Sequence, residues 1–358
     1  MEGVNASDKV GVGVIGAGFI ADYHIAGLKA AGGADLRAIA ARSRSSADKA
    51  AALHAIANAT DEWRTLLDRR DIDAVVIATP DDTHCEIACA AAASGKAILL
   101  QKPMAPTSAE CRKIIEAARC ASVPLQVSFM HRYFEEVVAA RELISSGKTG
   151  KVLSARMRNA TPGPDWSDWF FSRAKVGGGV VLQLGVHGID LLRHFFGEID
   201  TLIATTALRR TERTLRDGRI IHPDNEDHAF ATYTFAAGPV VSHEMCFSEI
   251  AGTDRFGLEI VCEHAALHLR GPRGPLAIFA PSITGRAEWV TPPLPEAQFG
   301  ARHHAAFLDI VRGRSEPDDT AESGLATLLT AEAIYRSAET RTEERVQRPQ
   351  EALASEAA

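Results

Sequence analysis

The chain has 358 residues, of which 46% are hydrophobic and 24% charged, and its formal net charge is −7. This length is sufficient for two domains, and the composition excludes a disordered chain, a collagen-like repeat and a small disulfide-stapled protein. The negative net charge provides no electrostatic footprint for nucleic acid or an anionic membrane, so neither is an expected partner, although a local basic cluster could still bind one phosphate. Because we find neither a long apolar run nor a secretory signal, we expect a cytoplasmic protein.

The first part of the chain alternates short apolar segments with segments of helical composition. Val10–Ile15 predicts a buried strand, and Gly16-Ala17-Gly18 and a helix follow it directly. Four further strands are predicted, each followed or preceded by a helix, at Leu36–Ala41, Asp73–Ala78, Ala97–Leu100 and Leu125–Phe129. This alternation predicts an α/β fold with a doubly wound parallel sheet, a Rossmann domain, over residues 1–130.

The pattern changes after residue 130. Several segments alternate polar and apolar residues, which is typical of an antiparallel sheet with one covered face. The predicted strands are Val152–Asn159, Ile199–Ala207, Ala229–Phe235, Val240–Phe247, Phe256–Val261 and Ala266–Arg270. We therefore expect an α+β domain over residues 131–342, with a large, mostly antiparallel open sheet. Residues 343–358 have no strong pattern and are expected to form a flexible tail.

The segment after the first strand fits the pattern G-x-G-x-x-G/A. Gly16 would allow a tight turn, Gly18 would let the backbone approach a pyrophosphate, and the following helix would direct its N-terminus at the phosphates. The motif stands at the first βα turn, which favours a dinucleotide site over an ordinary glycine-rich turn. The residues expected to contact the dinucleotide here are Gly16, Gly18, Phe19 and Ile20.

The end of the second strand bears on the choice between NAD and NADP. An NAD site usually has an acid there, but this chain has Arg42, Ser43 and Arg44 and no carboxylate. Guanidinium and hydroxyl groups suit a 2′-phosphate. The sequence therefore favours NADP over NAD, with a solvated basic turn as the alternative.

Two further segments carry side chains suited to catalysis. Lys102 ends the fourth strand, where the side chains of a parallel sheet point into the ligand crevice, although a surface lysine on a turn is the alternative. His187 can transfer a proton near neutral pH and lies four residues after Gln183, so the two share a face if the segment is helical. The spacing of His187, Asp190 and His194 imitates a metal site, but the adjoining glycines favour an entry into a helix, and we expect no metal.

Taken together, these segments resemble the Gfo/Idh/MocA family of sugar and polyol oxidoreductases over roughly residues 9–340. The segments that carry the resemblance are Gly16–Ala21, Ala78–Pro80 with His84, Gly95-Lys96, Gln101–Pro103, Gly177–Asp190, Glu226-Asp227 and Ala333–Ser337. The resemblance implies a Rossmann domain, a second domain whose open sheet mediates assembly into a homodimer or homotetramer, and hydride transfer between NAD(P) and a carbohydrate-like substrate.

The resemblance also implies roles for particular residues. Lys102 would bind the reacting oxygen, and His187 would remove the hydroxyl proton as hydride leaves the carbon. Further positions are implied beside the cofactor, at Thr79, Pro80, His84, Gln101 and Lys102, and at the substrate, at Lys102, Arg132, Gln183 and His187. The loop Thr161–Ser172, which contains Trp166, is expected to help to choose the substrate.

The chain departs from the family pattern at two positions. Relatives usually have a glutamate before the lysine and an aspartate four residues before the histidine, where this chain has Gln101 and Gln183. Both changes remove a negative charge and keep hydrogen-bonding capacity. Two other functions stay open: an enzyme that retains its nicotinamide to drive elimination or glycoside cleavage, and a dinucleotide-binding regulator without catalytic activity.

Overall fold

The computed structural model describes residues 9–236, 238–251 and 256–354. The chain divides into two compact units. The first consists of the described residues up to Tyr133 together with Glu296–Leu325, and the second of the described residues of Phe134–Pro295 and those from Ala326 onward. The residues that fall outside the described ranges include the last four of the predicted tail.

The first unit contains a six-stranded parallel sheet, which confirms the predicted fold. In chain order its elements up to Tyr133 are β1 (Val10–Ile15), α1 (Phe19–Ala31), β2 (Ala34–Ala40), α2 (Arg44–His54), β3 (Ala59–Thr60), α3 (Arg64–Leu67), β4 (Ala74–Ile77), α4 (His84–Ala93), β5 (Ala97–Leu100), α5 (Ser108–Ala121) and β6 (Leu125–Val127). The strand order is β3-β2-β1-β4-β5-β6. The order reverses at β1, so the crevice at the carboxyl ends of β1 and β4 is where such sheets bind ligands.

The second unit contains an eight-stranded, mostly antiparallel sheet, as the sequence predicts. The remaining elements are α6 (Glu135–Ser145), β7 (Val152–Ala160), α7 (Arg173–Val176), α8 (Val186–Phe196), β8 (Ile199–Ala207), β9 (Arg213–Thr214), β10 (Ile220–Ile221), β11 (His228–Phe235), β12 (Val240–Cys246), β13 (Gly257–Cys262), β14 (Ala266–Gly271), β15 (Gly274–Phe279), α9 (Pro281–Thr284), α10 (Ala301–Val311), α11 (Thr320–Thr340), β16 (Glu344–Arg345) and α12 (Pro349–Ala354). The order is β15-β14-β13-β7-β12-β11-β8-β16, and only β7 and β12 pair in parallel within the described sheet.

One segment lies in a different unit from the one that the sequence predicts. Residues 296–325 were expected in the second domain, but they belong to the first. The physical reason is the apolar face of α10, because Phe307 and Leu308 are fully buried in one core cluster with Val12, Ile25 and Leu28. The unit that holds the glycine-rich turn is therefore completed by residues from far along the chain.

The predicted flexible tail is also different in the structure. Glu344 and Arg345 form β16, which pairs antiparallel with β8, and α12 follows. Val346 and Ala352 are buried, and their burial accounts for the order of this segment. The structure also adds elements that the pattern did not predict: β3, α6, the short β9–β10 hairpin and β15.

Among the described residues, no helix combines the length and the apolar character that crossing a membrane requires.

Candidate active site

The glycine-rich turn between β1 and α1 has two glycines with different surroundings. Gly16 has φ +116°, and a Cβ atom there would stand 2.4 Å from the carbonyl oxygen of Ala78. Gly18 has the extended φ of −92°, and a Cβ atom there would meet nothing within 4 Å. Thus the fold itself requires Gly16, whereas Gly18 faces open space at the N-terminus of the 13-residue α1, which no side chain caps. This space suits an anionic group bound by backbone N–H groups.

The predicted 2′-phosphate residues are used in different ways. Ser43 caps α2, because its side chain accepts a hydrogen bond from the backbone N–H of Ser46. Arg44 donates from Nε to Asp48 Oδ1 over 2.9 Å, an exposed pair along α2. Arg42 is exposed and has neither a hydrogen-bond nor an ion-pair partner among the described residues. Of the three residues, Arg42 is therefore the one available to a phosphate.

The loops after β4 and β5 are joined by His84. Its buried ring places Nδ1 3.0 Å from the carbonyl oxygen of Pro103 and Nε2 3.0 Å from that of Thr79. Burial lowers the pKa of His84, and the backbone carbonyls oppose that effect. Because both nitrogens face backbone oxygens, His84 holds the Thr79-Pro80 loop against the Lys102-Pro103 loop.

Lys102 lies directly at the end of β5 and is half-buried. The Lys102–Pro103 peptide bond is cis. The backbone N–H of Lys102 donates to Oε1 of Gln101 over 2.6 Å, and Gln101 is buried with its side-chain nitrogen toward His24. Gln101 is expected beside the cofactor, and in the structure its side chain links the backbone of Lys102 to His24.

Arg132, which is expected at the substrate, forms an ion pair in the first unit. Its buried side chain donates from Nη1 to Oδ1 of Asp319 over 2.5 Å. The guanidinium lies 5.8 Å from the centre of the Phe129 ring. Because an unpaired buried charge is costly, this ion pair stabilises the buried guanidinium, and it joins the segment after β6 to the start of α11. The sequence alone does not bring Asp319 to this place.

In the second unit, His187 lies in the first turn of α8. A π turn, Val181–Gly185, precedes that helix and contains Gln183. Both Gln183 and His187 are buried, and the helical setting that their spacing requires is present. Single π turns are frequent at functional sites. The sequence predicted the helix but not the π turn.

Glu226 holds the glycine segment that leads into this turn. Its Oε1 accepts hydrogen bonds from the backbone N–H of Gly179, from that of Val181 and from the hydroxyl of Tyr335. Burial raises the pKa of Glu226, although these hydrogen bonds oppose the shift. A Cβ atom on Gly179 would stand 1.9 Å from the Glu226 carbonyl oxygen. Glu226 and Tyr335 belong to the segments that carry the family resemblance, yet the sequence did not reveal this contact.

A buried polar chain packs against the residue that follows His187. His243 Nε2 lies 2.8 Å from Asn159 Oδ1, and Nδ1 lies 3.0 Å from the hydroxyl of Tyr233. A Cβ atom on Gly188 would stand 2.1 Å from Asn159 Oδ1. Burial lowers the pKa of His243 to about 3, so its ring is neutral. The glycine lets α8 begin directly against β7 and β12.

Trp166 is an exposed aromatic residue of the predicted substrate loop. About half of it is accessible (49%), and its ring lies edge-on to Phe170, with 5.6 Å between the ring centres. The Arg216 guanidinium lies 5.5 Å from the centre of the Trp166 ring and forms an ion pair with Asp165. An exposed aromatic face with flanking charges can contact the apolar face of a carbohydrate ring.

The residues around the glycine-rich turn fit an organic cofactor. Within the described ranges, no group of three or more His, Cys, Asp or Glu side chains could hold a metal ion. The open space at Gly18 and the uncapped N-terminus of α1 fit a pyrophosphate, and the exposed Arg42 fits the adenosine end. These residues, with Thr79 and Lys102 at the neighbouring strand ends, are compatible with a bound nicotinamide dinucleotide.

Comparison with protein-family models identifies both parts of the chain. Residues 10–129 match the model described as an oxidoreductase family with an NAD-binding Rossmann fold, and residues 137–268 match the Gfo/Idh/MocA C-terminal domain. The two matches together span well over half of the chain.

Several characterised proteins are similar in sequence. A levoglucosan dehydrogenase from Pseudarthrobacter phenanthrenivorans is 32% identical over 59% of this chain and 57% of its own length. Inositol 2-dehydrogenase 2 from Saccharopolyspora erythraea is 31% identical over 73% of each chain. A 1,5-anhydro-D-fructose reductase from Ensifer adhaerens is 28% identical over 92% of this chain and 96% of that protein.

Solved structures show the same fold. Levoglucosan dehydrogenase in complex with NADH and L-sorbose has a TM-score of 0.87 and 25% identity, and the match covers 96% of this chain and 100% of that one. GenD2 from gentamicin A biosynthesis, in complex with NAD, has a TM-score of 0.79 and 26% identity, with 97% and 99% covered.

Proposed function

The chain belongs to the Gfo/Idh/MocA family of oxidoreductases, and on this premise we propose that it transfers a hydride between a nicotinamide dinucleotide and a CH–OH group of a small carbohydrate-like substrate. The observation that carries the proposal is the open space at Gly18, since no protein atom there requires a glycine. A phosphate bound by the N-terminus of α1 does require one, because its oxygens must approach the backbone closely.

The substrate class follows from the relatives and from the exposed Trp166. The similar proteins are named for an anhydro sugar, a cyclitol and an anhydroketose, and all three compounds carry ring hydroxyls or a ring ketone. We therefore place the substrate among sugars, polyols, sugar lactones and related hydroxy compounds. Trp166 would contact the apolar face of such a ring, and Gln183 would bond a hydroxyl through its amide.

The proposed chemistry assigns one task to each of two side chains. The bound dinucleotide supplies the hydride acceptor, or the donor in the reverse direction. The Lys102 ammonium binds the reacting oxygen and stabilises the negative charge that develops on it during oxidation. The His187 imidazole takes the proton of the hydroxyl, and returns it when a carbonyl is reduced.

We further propose that Arg42 recognises the 2′-phosphate of NADP. The support is local: Arg42 is exposed without a partner among the described residues, and no carboxylate follows β2 to accept from an unmodified ribose. The relatives solved with NADH or NAD show that the fold accepts the unphosphorylated form. We therefore propose that the protein binds both dinucleotides and binds NADP more tightly than NAD.

We propose that the open face of the second unit's sheet is covered by a second copy of this chain. Three apolar side chains on that face, Ile203, Phe230 and Val240, are each at least half exposed, next to the charged Arg156 and Glu259. An exposed apolar patch with a polar surround is typical of a protein interface. Sedimentation of wild-type protein and of Phe230→Arg tests this: an assembly that the substitution breaks supports it, and a monomeric wild type overturns it.

The cytoplasm is the compartment that we propose for this activity. All six cysteines are free thiols, which fits a reducing environment.

A panel of substrates tests the proposed activity. Purified protein is incubated with NAD or NADP in oxidised form and an anhydro sugar, a cyclitol or a lactol, and dinucleotide reduction is followed by absorbance. Net reduction with one class of substrate supports the proposal. Dinucleotide binding without turnover over the whole panel contradicts it and favours a regulator. Cofactor that co-purifies and converts substrate without net reduction indicates elimination or glycoside cleavage.

A further inference from the structure

A cluster of buried histidines lies behind Lys102 in the first unit. His24 on α1 and His303 and His304 on α10 are each at most 1% exposed, and Tyr23 and Tyr133 pack against them. No carboxylate bonds these rings in the described ranges. The proposed hydride transfer assigns no task to them, so their arrangement needs its own explanation.

The hydrogen bonds that link Lys102 through Gln101 to His24 and His304 have only one consistent direction. The backbone N–H of Lys102 can only donate, so Oε1 of Gln101 accepts and the amide NH₂ of Gln101 faces His24 Nε2, 3.4 Å away. An NH₂ group donates, so His24 Nε2 carries no proton. The proton of the neutral His24 ring is then on Nδ1.

The same reasoning extends to the second ring. His24 Nδ1 lies 2.9 Å from Nε2 of His304, which must accept. His304 Nδ1 lies 2.7 Å from the carbonyl oxygen of Gly300, which can only accept, so the proton of His304 is on Nδ1. The N–H of each ring thus meets an acceptor while both rings are neutral. The low pKa values of the two rings also keep them neutral, because burial lowers the pKa of His304 to about 4 and that of His24 well below its usual value.

The His304 ring is packed tightly against α1. A Cβ atom on Gly27 would stand 2.2 Å from His304 Nδ1, so α1 and α10 pack closely at this glycine. His303 is bound separately, with Nδ1 3.1 Å from the hydroxyl of Tyr23. Burial and the neighbouring rings keep the pKa of His303 low as well. A proton added to this chain of hydrogen bonds would therefore be a buried charge without a counter-ion.

We propose that Gln101 is a positioning residue that sets the direction of this hydrogen-bond chain and couples two uncharged buried histidines to the backbone of Lys102. A carboxamide accepts from Lys102 and donates to His24 at the same time without taking up a proton. A carboxylate at this position would accept from both sides, and the chain would then lack one proton. This accounts for a glutamine where the family pattern has an acid. The coupling to catalysis rests on the role proposed for Lys102, whereas the direction of the chain does not.

The wild-type protein provides a test of the direction. Ring ¹⁵N shifts of the full chain, labelled at histidine, are recorded at neutral pH, and the rings are assigned by the loss of signals in His24→Gln and His304→Gln. We expect both rings to be neutral with the proton on Nδ1. A proton on Nε2 of either ring, or an imidazolium, overturns the proposal.

Two substitutions test whether a carboxylate at position 101 leaves the hydrogen-bond chain one proton short. Gln101→Glu should take up one proton on folding, so its unfolding equilibrium constant should rise about tenfold per pH unit above about pH 7, relative to wild type. Gln101→Met removes both hydrogen bonds without creating an acid and should not acquire this slope. Equal slopes in Gln101→Glu and wild type contradict the proposal.

The coupling to Lys102 has a separate readout. In Gln101→Glu, kcat/KM should acquire an alkaline limb of one proton that wild type lacks, since loss of the extra proton breaks the chain behind Lys102. If the ring protons are as expected but this limb is absent, the coupling is wrong. If Lys102→Ala is fully active, the role of Lys102 is wrong and the direction of the chain is unaffected.

Discussion

The carbonyl oxygen of Ala78 lies 2.4 Å from the point at which a Cβ atom on Gly16 would stand. The end of β4 thus packs against the turn after β1 so closely that only a glycine fits there. Gly18, two residues later, has no protein atom within 4 Å of its own Cβ position. The same motif therefore contains one glycine that the fold requires and one that we assign to a ligand.

This difference predicts opposite phenotypes for two alanine substitutions. Gly16→Ala should destabilise the protein by about 1–3 kcal/mol, because the residue has a positive φ and would clash with backbone. Gly18→Ala should leave the free energy of unfolding within about 0.5 kcal/mol of wild type and weaken dinucleotide binding. Denaturant unfolding and dinucleotide titration measure the two effects. A Gly18→Ala protein that binds dinucleotide normally would remove our main support for the phosphate site.

Substitution of the two proposed catalytic groups should abolish turnover and preserve binding. Lys102→Ala and His187→Ala should each lower kcat/KM by about 10²–10⁴-fold, the usual contribution of an acid–base group, with a nearly unchanged dinucleotide Kd. Lys113→Ala and His222→Ala, which change exposed residues of the same types, serve as controls. If either catalytic variant kept wild-type kcat/KM, the role assigned to that residue would be wrong.

Arginine substitutions should separate the two dinucleotides. Arg42→Ala should raise the Kd of NADP by about tenfold or more and affect NAD little, because it removes one charge-assisted contact to phosphate. Arg44→Ala is the matched control, since Arg44 already pairs with Asp48. Calorimetric titration of both variants with both dinucleotides measures this. Equal losses for NAD and NADP in Arg42→Ala would exclude the proposed preference.

Stability should fall in mild acid because several histidines are buried as neutral rings. The folded-state pKa is about 4 for His304 and about 3 for His243, and well below normal for His24 and His303, against 6.5 unfolded. Below pH 6.5 the unfolded chain binds protons that the folded chain does not. The contribution of these rings to the free energy of unfolding is therefore fully present above pH 6.5 and is lost as the pH falls below that value. Each ring lowers the free energy of unfolding by about 1.4 kcal/mol for each pH unit below its unfolded pKa.

Urea unfolding between about pH 7.5 and pH 5 measures this slope. His304→Gln should reduce the slope of the free energy of unfolding against pH by the contribution of one histidine. His222→Gln, which changes an exposed ring, should leave this slope unchanged. A stability that is independent of pH over this range would show that the buried rings are not neutral.

The parallel sheet and the glycine-rich turn could be predicted because their signals are local. Apolar segments such as Val10–Ile15 are followed at once by glycines and helical composition, and the structure has these elements in the predicted order. The mostly antiparallel sheet was likewise evident from alternation within single strands such as β11. Two-residue strands such as β3 and β16 carry no such period and were missed.

The contacts that shape the candidate site could not be predicted, because they join residues far apart in sequence. His24 and His304 are 280 positions apart, and Arg132 and Asp319 are 187 apart. The sequence shows that Gln101 replaces an acid, but the reason lies in the ring nitrogens that face it. Similarly, His84 stands in a recognisable segment, yet its bonds to two backbone carbonyls become evident only from the structure.

The central claim is hydride transfer from a carbohydrate-like hydroxyl, and the transfer of deuterium tests it most directly. A substrate identified by the panel is prepared with deuterium on the carbon that bears the reacting hydroxyl, and the dinucleotide product is analysed by mass spectrometry and NMR. We expect one deuterium at C4 of the nicotinamide, and a slower transfer in His187→Ala. Product formation in which the deuterium stays with the carbohydrate or exchanges with water would show that no hydride passes to the dinucleotide.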